Sequence, residues 1–81
     1  MRKQIPIHTY TQINTVEDSF LIQNLSHDAL LIVVADTQPA DNADHDFIIE
    51  NRHAISNDLV VGLCWGKPEG KTALTVGYTE G

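Results

Sequence analysis

A single cysteine, Cys64, stands among 81 residues. That excludes an internal disulfide and a zinc site built from several thiolates. Basic residues are also scarce: five Lys+Arg against eleven Asp+Glu give a net charge of −6 with neutral histidines. No basic run is longer than Arg2-Lys3, which argues against a nucleic-acid binder that neutralises phosphates with clustered cations. The longest apolar stretch, Ala29 to Ala35, is seven residues, against the ~20 a spanning helix requires. Met1-Arg2-Lys3-Gln4-Ile5-Pro6 has a basic start without a signal-peptide apolar run. Synthesis in a reducing cytoplasm is the expectation.

What is present suits a single folded β domain over residues 1–81. Hydrophobic residues make up 42% and charged residues 20%, a balance that can support a core. The size leaves little margin. Folding this mass removes roughly 8,000 Å² from water, worth roughly 120 kcal/mol if about 60% is apolar. Ordering the chain costs roughly 120 kcal/mol. Association with further chains is the natural source of extra burial.

Periodicity points to strands. Apolar residues fall in short runs rich in Val, Ile, Leu and Thr, separated by turn residues. Gln4 to Tyr10 reads as an edge strand, because Pro6 cannot donate to a ladder, with Thr11 to Val16 continuing it after a bend. Phe20 to Leu25 alternates, with Phe20, Ile22 and Asn24 on one face. Ala29 to Ala35 reads as a central strand covered on both faces. Asp36 to Asp46 is a polar loop. Phe47 to Glu50 and Ala54 to Ser56 are short strands around a turn at Asn51-Arg52-His53, with Asn51 suited to positive φ. Leu59 to Trp65 and Thr72 to Thr79 read as the last two strands, joined by a hairpin tip at Gly66 to Lys71. The expected fold is all-β: a small antiparallel sandwich or barrel, jelly-roll-like, of about six to eight short strands.

Local chemistry is sparse. Gly66-Lys67-Pro68-Glu69-Gly70-Lys71-Thr72 resembles a phosphate-binding loop, but three residues separate its glycines where four are needed. It also leads to a strand rather than a helix, so a plain turn is the simpler reading. Asp41-Asn42-Ala43-Asp44-His45-Asp46 gathers oxygen donors and one imidazole, as a calcium or transition-metal loop would. It lacks the glycine and closing glutamate of the twelve-residue calcium loop, and a solvated acidic loop explains it as well. His8, His27, His45 and His53 lie on separate segments. Cys64 lies in an apolar run, where an inert thiol is the default. Ser56 lacks the glycine-flanked elbow of an exposed nucleophile. No enzyme, cofactor or metal is therefore expected. Trp65 and Tyr78 are placed to pair across the last two strands, or to form an aromatic platform for sugars.

The order of features carries a resemblance. Phe20-Leu21-Ile22-Gln23-Asn24-Leu25-Ser26 leads into Leu31-Ile32-Val33-Val34-Ala35. A Pro39-containing loop follows, then Phe47-Ile48-Ile49 and a turn. Val60-Val61-Gly62-Leu63-Cys64-Trp65 and a glycine-bounded segment lead to Ala73-Leu74-Thr75-Val76. Over roughly residues 20 to 79 this resembles the small β-rich virion proteins of tailed bacteriophages, including capsid decoration or cement proteins. Those chains usually carry a Pro-Gly-acid turn where this one has Asn51-Arg52-His53.

The resemblance implies a structural role in the virion. A small homo-oligomer, a trimer by preference, would bind a major capsid protein from outside and bridge neighbouring subunits, contacting neither nucleic acid nor membrane. Main-chain pairing at an edge strand and apolar burial would supply affinity. Residues 1–10 are the candidate arm, with Ile5, Ile7 and Tyr10 as interface residues alongside Trp65 and Tyr78. The alternative is a carbohydrate- or receptor-binding module of a phage tail or fibre, using Trp65 and Tyr78.

Overall fold

The computed structural model describes all residues, Met1 to Gly81. Eight strands form: β1 (Arg2–Ile5), β2 (Thr11–Gln12), β3 (Phe20–Asn24), β4 (Leu30–Val34), β5 (Phe47–Ile49), β6 (Ala54–Ser56), β7 (Cys64–Pro68) and β8 (Leu74–Glu80). They make two antiparallel four-stranded sheets, in the orders β1-β8-β3-β6 and β2-β7-β4-β5.

These orders follow from one folding rule. Laid out as a ribbon, the chain pairs β1 with β8, β2 with β7, β3 with β6 and β4 with β5. Winding the ribbon on itself adds the contacts β3·β8 and β4·β7. This is the jelly-roll arrangement of two four-stranded sheets. The two sheets are separate ladders, so of the sandwich and the barrel expected from sequence, the sandwich forms. No helix is long and apolar enough to cross a membrane.

The core lies between the sheets. Ile5, Leu74, Val76, Ile22, Phe20 and Ile55 enter it from the first sheet, and Leu30, Ile32, Ile49 and Cys64 from the second. Strict alternation achieves this: β3 reads buried, exposed, buried, half-buried, buried from Phe20 to Asn24. Two amides are fully buried, Asn14 and Asn24. Both are satisfied, as buried polar groups must be. Asn24 donates to the Asp28 and Ile49 carbonyls at 2.8 and 2.9 Å and accepts from Ser26 N–H.

Four segments depart from the sequence expectation. The first strand is Arg2–Ile5 rather than Gln4 to Tyr10. Pro6 ends it, the chain turns through His8 at φ 76°, and Thr11–Gln12 resumes in the other sheet. The strand expected over Leu59 to Trp65 begins only at Cys64 and runs to Pro68. Gly62 at φ 147° breaks the extended run, and Leu59 and Val61 are left 65% exposed. The segment after Gly66 is not a hairpin tip, because β7 and β8 belong to different sheets. In the Asn51–His53 turn the positive φ falls on Arg52, at 68°. Asn51 instead donates its side-chain amide to the Ser26 carbonyl.

Candidate functional site

The two outer faces differ in kind. On the second sheet, register places Gln12, Trp65 and Val33 abreast, with Lys67 beside Leu31 and Ile48. The Asp36–Asp46 loop folds over part of this face as a strap. Tyr10 Oη donates to the Ala43 carbonyl at 2.8 Å. Gln38 donates to the Tyr10 carbonyl and Trp65 Nε1 to the Ala35 carbonyl, both at 2.9 Å. Lys67 Nζ donates to the Asp41 carbonyl and sits 5.2 Å from the Tyr10 ring centroid, a cation–π contact. At the loop's exit, the Asp46 carboxylate accepts Val34 N–H. The acidic loop is therefore a structural cover. No three His, Cys, Asp or Glu side chains converge as a metal site, and the metal reading of Asp41–Asp46 finds no geometric support.

The strap explains the electrostatics of Tyr10. Burial pushes its hydroxyl up, and the charges of Asp44 and Asp46 push it the same way. Cys64, fully buried, is raised by burial alone to about 11. Its thiol is held protonated at neutral pH, the opposite of an activated nucleophile. Glu80 is held low, first by the Thr15 backbone N–H and then by Val16 N–H and the Thr15 hydroxyl.

The outer face of the first sheet is bare. Its outward positions are Arg2 and Gln4 on β1, Thr75, Gly77 and Thr79 on β8, Leu21 and Gln23 on β3, and Ala54 and Ser56 on β6. None of the chain's eleven acidic residues is among them. A groove of about 350 Å³ crosses one end, lined by Arg2, Leu25, Ser26, Arg52 and Thr75. A second depression of about 210 Å³ lies over Gly77, beside Met1, Leu21 and Tyr78. The β1 rim is open as well. Met1 and Tyr78 exchange both backbone hydrogen bonds. By antiparallel alternation, the N–H and C=O groups of Arg2 and Gln4 then point away from β8.

The structure places the five sequence candidates in separate parts of the fold. Ile5 is fully buried in the core, and Tyr10 is 1% exposed beneath the strap. Both are spent on intramolecular packing and are not free to meet a partner. Ile7 is half-buried in the β1–β2 link. Trp65 and Tyr78 do not pair: Trp65 stands beside Val33 on one sheet, Tyr78 beside Ile22 on the other. Trp65 is half-buried with its N–H engaged, and Tyr78 packs against the core. The aromatic platform is therefore not formed. Sequence reasoning missed Arg2 and Arg52. Arg2 lay outside the expected strand, and nothing local shows that the Arg52 turn meets β1 across the sheet. The alternation of Phe20–Asn24 did place Leu21 and Gln23 outward.

The fold and its surfaces define a class: a small all-β jelly-roll sandwich with one strapped face and one open face. No family model matches the chain, and neither a curated protein nor a solved structure matches it.

Proposed function

We propose that this chain is a structural subunit of a tailed-phage virion, binding an assembled shell from outside as a decoration or cement protein through non-covalent contacts. The observation that carries the reading is the bare face of the first sheet. Cα extents of 31 × 25 × 18 Å give the broad side of the sandwich roughly 800 Å², one partner's share of a standard interface. The open β1 rim beside it offers main-chain pairing. Many copies on one lattice would gain further by multivalency. Jelly rolls serve in capsid and lectin domains alike, so the reading is argued from the surface rather than from the fold. An open face whose one aromatic, Tyr78, is packed against the core at the edge of a depression suits protein contact better than sugar stacking.

The test has two parts. Light scattering gives the mass in solution, and a trimer of the 9.0 kDa chain is expected. Co-sedimentation with emptied tailed-phage shells lacking their own decoration subunit is expected to retain the protein. A strict monomer up to the solubility limit that stays in the supernatant overturns the reading.

A further inference from the structure

The eleven acidic residues are distributed unevenly. Asp36, Asp41, Asp44 and Asp46 ride on the strap, over the second sheet. The others lie in links between strands or, for Glu80, at a strand end turned toward Thr15 and Val16. The outward positions of the first sheet carry none. Two of the chain's five Lys+Arg residues, Arg2 and Arg52, meet instead in the 350 Å³ groove at one end of that face. Both are exposed. The backbone carbonyl of Arg52 accepts from Gln23, while neither guanidinium is spent on an intramolecular hydrogen bond. The strap side thus carries four carboxylates, while the outward strand positions of the first sheet carry none; one acid, Glu80, lines a depression at that face's edge with Leu21 and Thr79.

We propose that the outer face of the first sheet is the docking surface, and that its partner is a carboxylate-bearing face of another protein, held by the Arg2–Arg52 groove. This rests on the reading of the chain as an assembly subunit. Guanidinium groups match carboxylates in charge and fork geometry. Gln4 and Gln23 already donate to the Thr75 hydroxyl and the Arg52 carbonyl, which leaves each one amide hydrogen, with the Thr79 hydroxyl, for an acceptor-only partner. The depression over Gly77, between Met1 at 68% and Leu21 at 47% exposure, supplies an apolar anchor point near the centre, where binding energy concentrates. Pairing this face with a copy of itself brings Arg2 and Arg52 against their equivalents only about a two-fold axis through the groove, where like-charge repulsion opposes it; a second copy in any other register is an outcome of the test. The strap, with its four aspartates, turns outward by default.

The experiment uses poly-L-glutamate-coated beads as the carboxylate probe and emptied shells in parallel. The wild-type chain, despite its net charge of −6, is expected to bind the beads at low salt and to elute as salt passes about 0.15 M, where the screening length is about 8 Å. The Arg2→Glu/Arg52→Glu variant is expected to bind beads and shells at least about tenfold more weakly, with an unchanged circular dichroism spectrum. Leu21→Glu, which leaves both arginines, is expected to weaken shell binding in the same direction. Shell binding unaffected by the double charge reversal overturns the docking face while leaving the assembly reading standing. Bead binding with no shell binding does the reverse. Self-association abolished equally by the double reversal and by Asp41→Asn/Asp44→Asn overturns the proposal in favour of a second copy's strap as occupant.

Discussion

The Asn14 carboxamide accepts the Cys64 backbone N–H at 2.6 Å across fifty residues of chain. Its amide nitrogen donates to the carbonyls of Gly62 and Val16 at 2.9 and 3.1 Å. One side chain thus replaces the ladder that β2 and β7 lose where the chain leaves the sheet. Truncating it strands Cys64 N–H and two carbonyls in a buried site, each at about 1–3 kcal/mol when unpaired. Asn14→Ala is therefore expected to lower stability by about 3 kcal/mol. Urea denaturation checks it through a lower midpoint at unchanged slope. A loss below about 1 kcal/mol means that water takes over these bonds.

The same amide shows where the sequence was legible. Alternation located β3, and short apolar runs bounded by turn residues located β4, β5 and β6, almost to their ends, because both signals are local to the segment. Asn24 sat in phase with Phe20 and Ile22, and it is buried as they are. Leu59 to Trp65 had an equally good pattern and failed. Asn14 and the positive φ of Gly62 set its geometry, and neither is a local property of that segment. The open face was illegible for a related reason: Arg2 and Arg52 meet only because the wound ribbon places β1 and β6 in one sheet.

Gly66 lies on the inner side of β7, pressed between the sheets. A Cβ there would come within 2.8 Å of Ile13 Cδ1 and 3.0 Å of Leu30 Cδ1. Both atoms are ends of flexible side chains, so the core can yield, but it is closely packed and yields at a cost. Gly66→Ala is expected to destabilise by about 1–3 kcal/mol, and Gly66→Val by more. Equal or higher melting temperature for the alanine variant would indicate slack in the core at this point.

Stability is bounded on both sides of neutrality. Cys64 and Tyr10 have pKa values raised on folding. Each contributes stability that is complete below its unfolded value and is lost as pH rises through the folded one. For Cys64 that window runs from 9.0 to about 11. Glu80 is lowered from 4.5, so its contribution is present above that value and fades as pH falls through the folded one. Denaturation midpoints measured across pH should therefore fall at both ends. Glu80→Gln should flatten the acid limb and leave the alkaline limb in place. A thiol reagent should modify Cys64 at pH 8 only as fast as the chain unfolds; rapid modification under native conditions contradicts the burial argument.

The strap can be loosened without touching the core. Tyr10→Phe keeps the ring beneath the loop but removes the hydroxyl bond to Ala43, a loss of about 1 kcal/mol. The effect should be local. Amide exchange and proteolytic nicking should accelerate over Asp36–Asp46, while β3 and β8 keep their protection. Trp65→Phe, which removes the bond to Ala35, should act in the same place and combine with Tyr10→Phe more than additively, because both hold one segment. Shell binding through the opposite face should survive the double variant. If it is lost while the mass in solution is unchanged, the strap rather than the bare sheet is the surface that meets the partner.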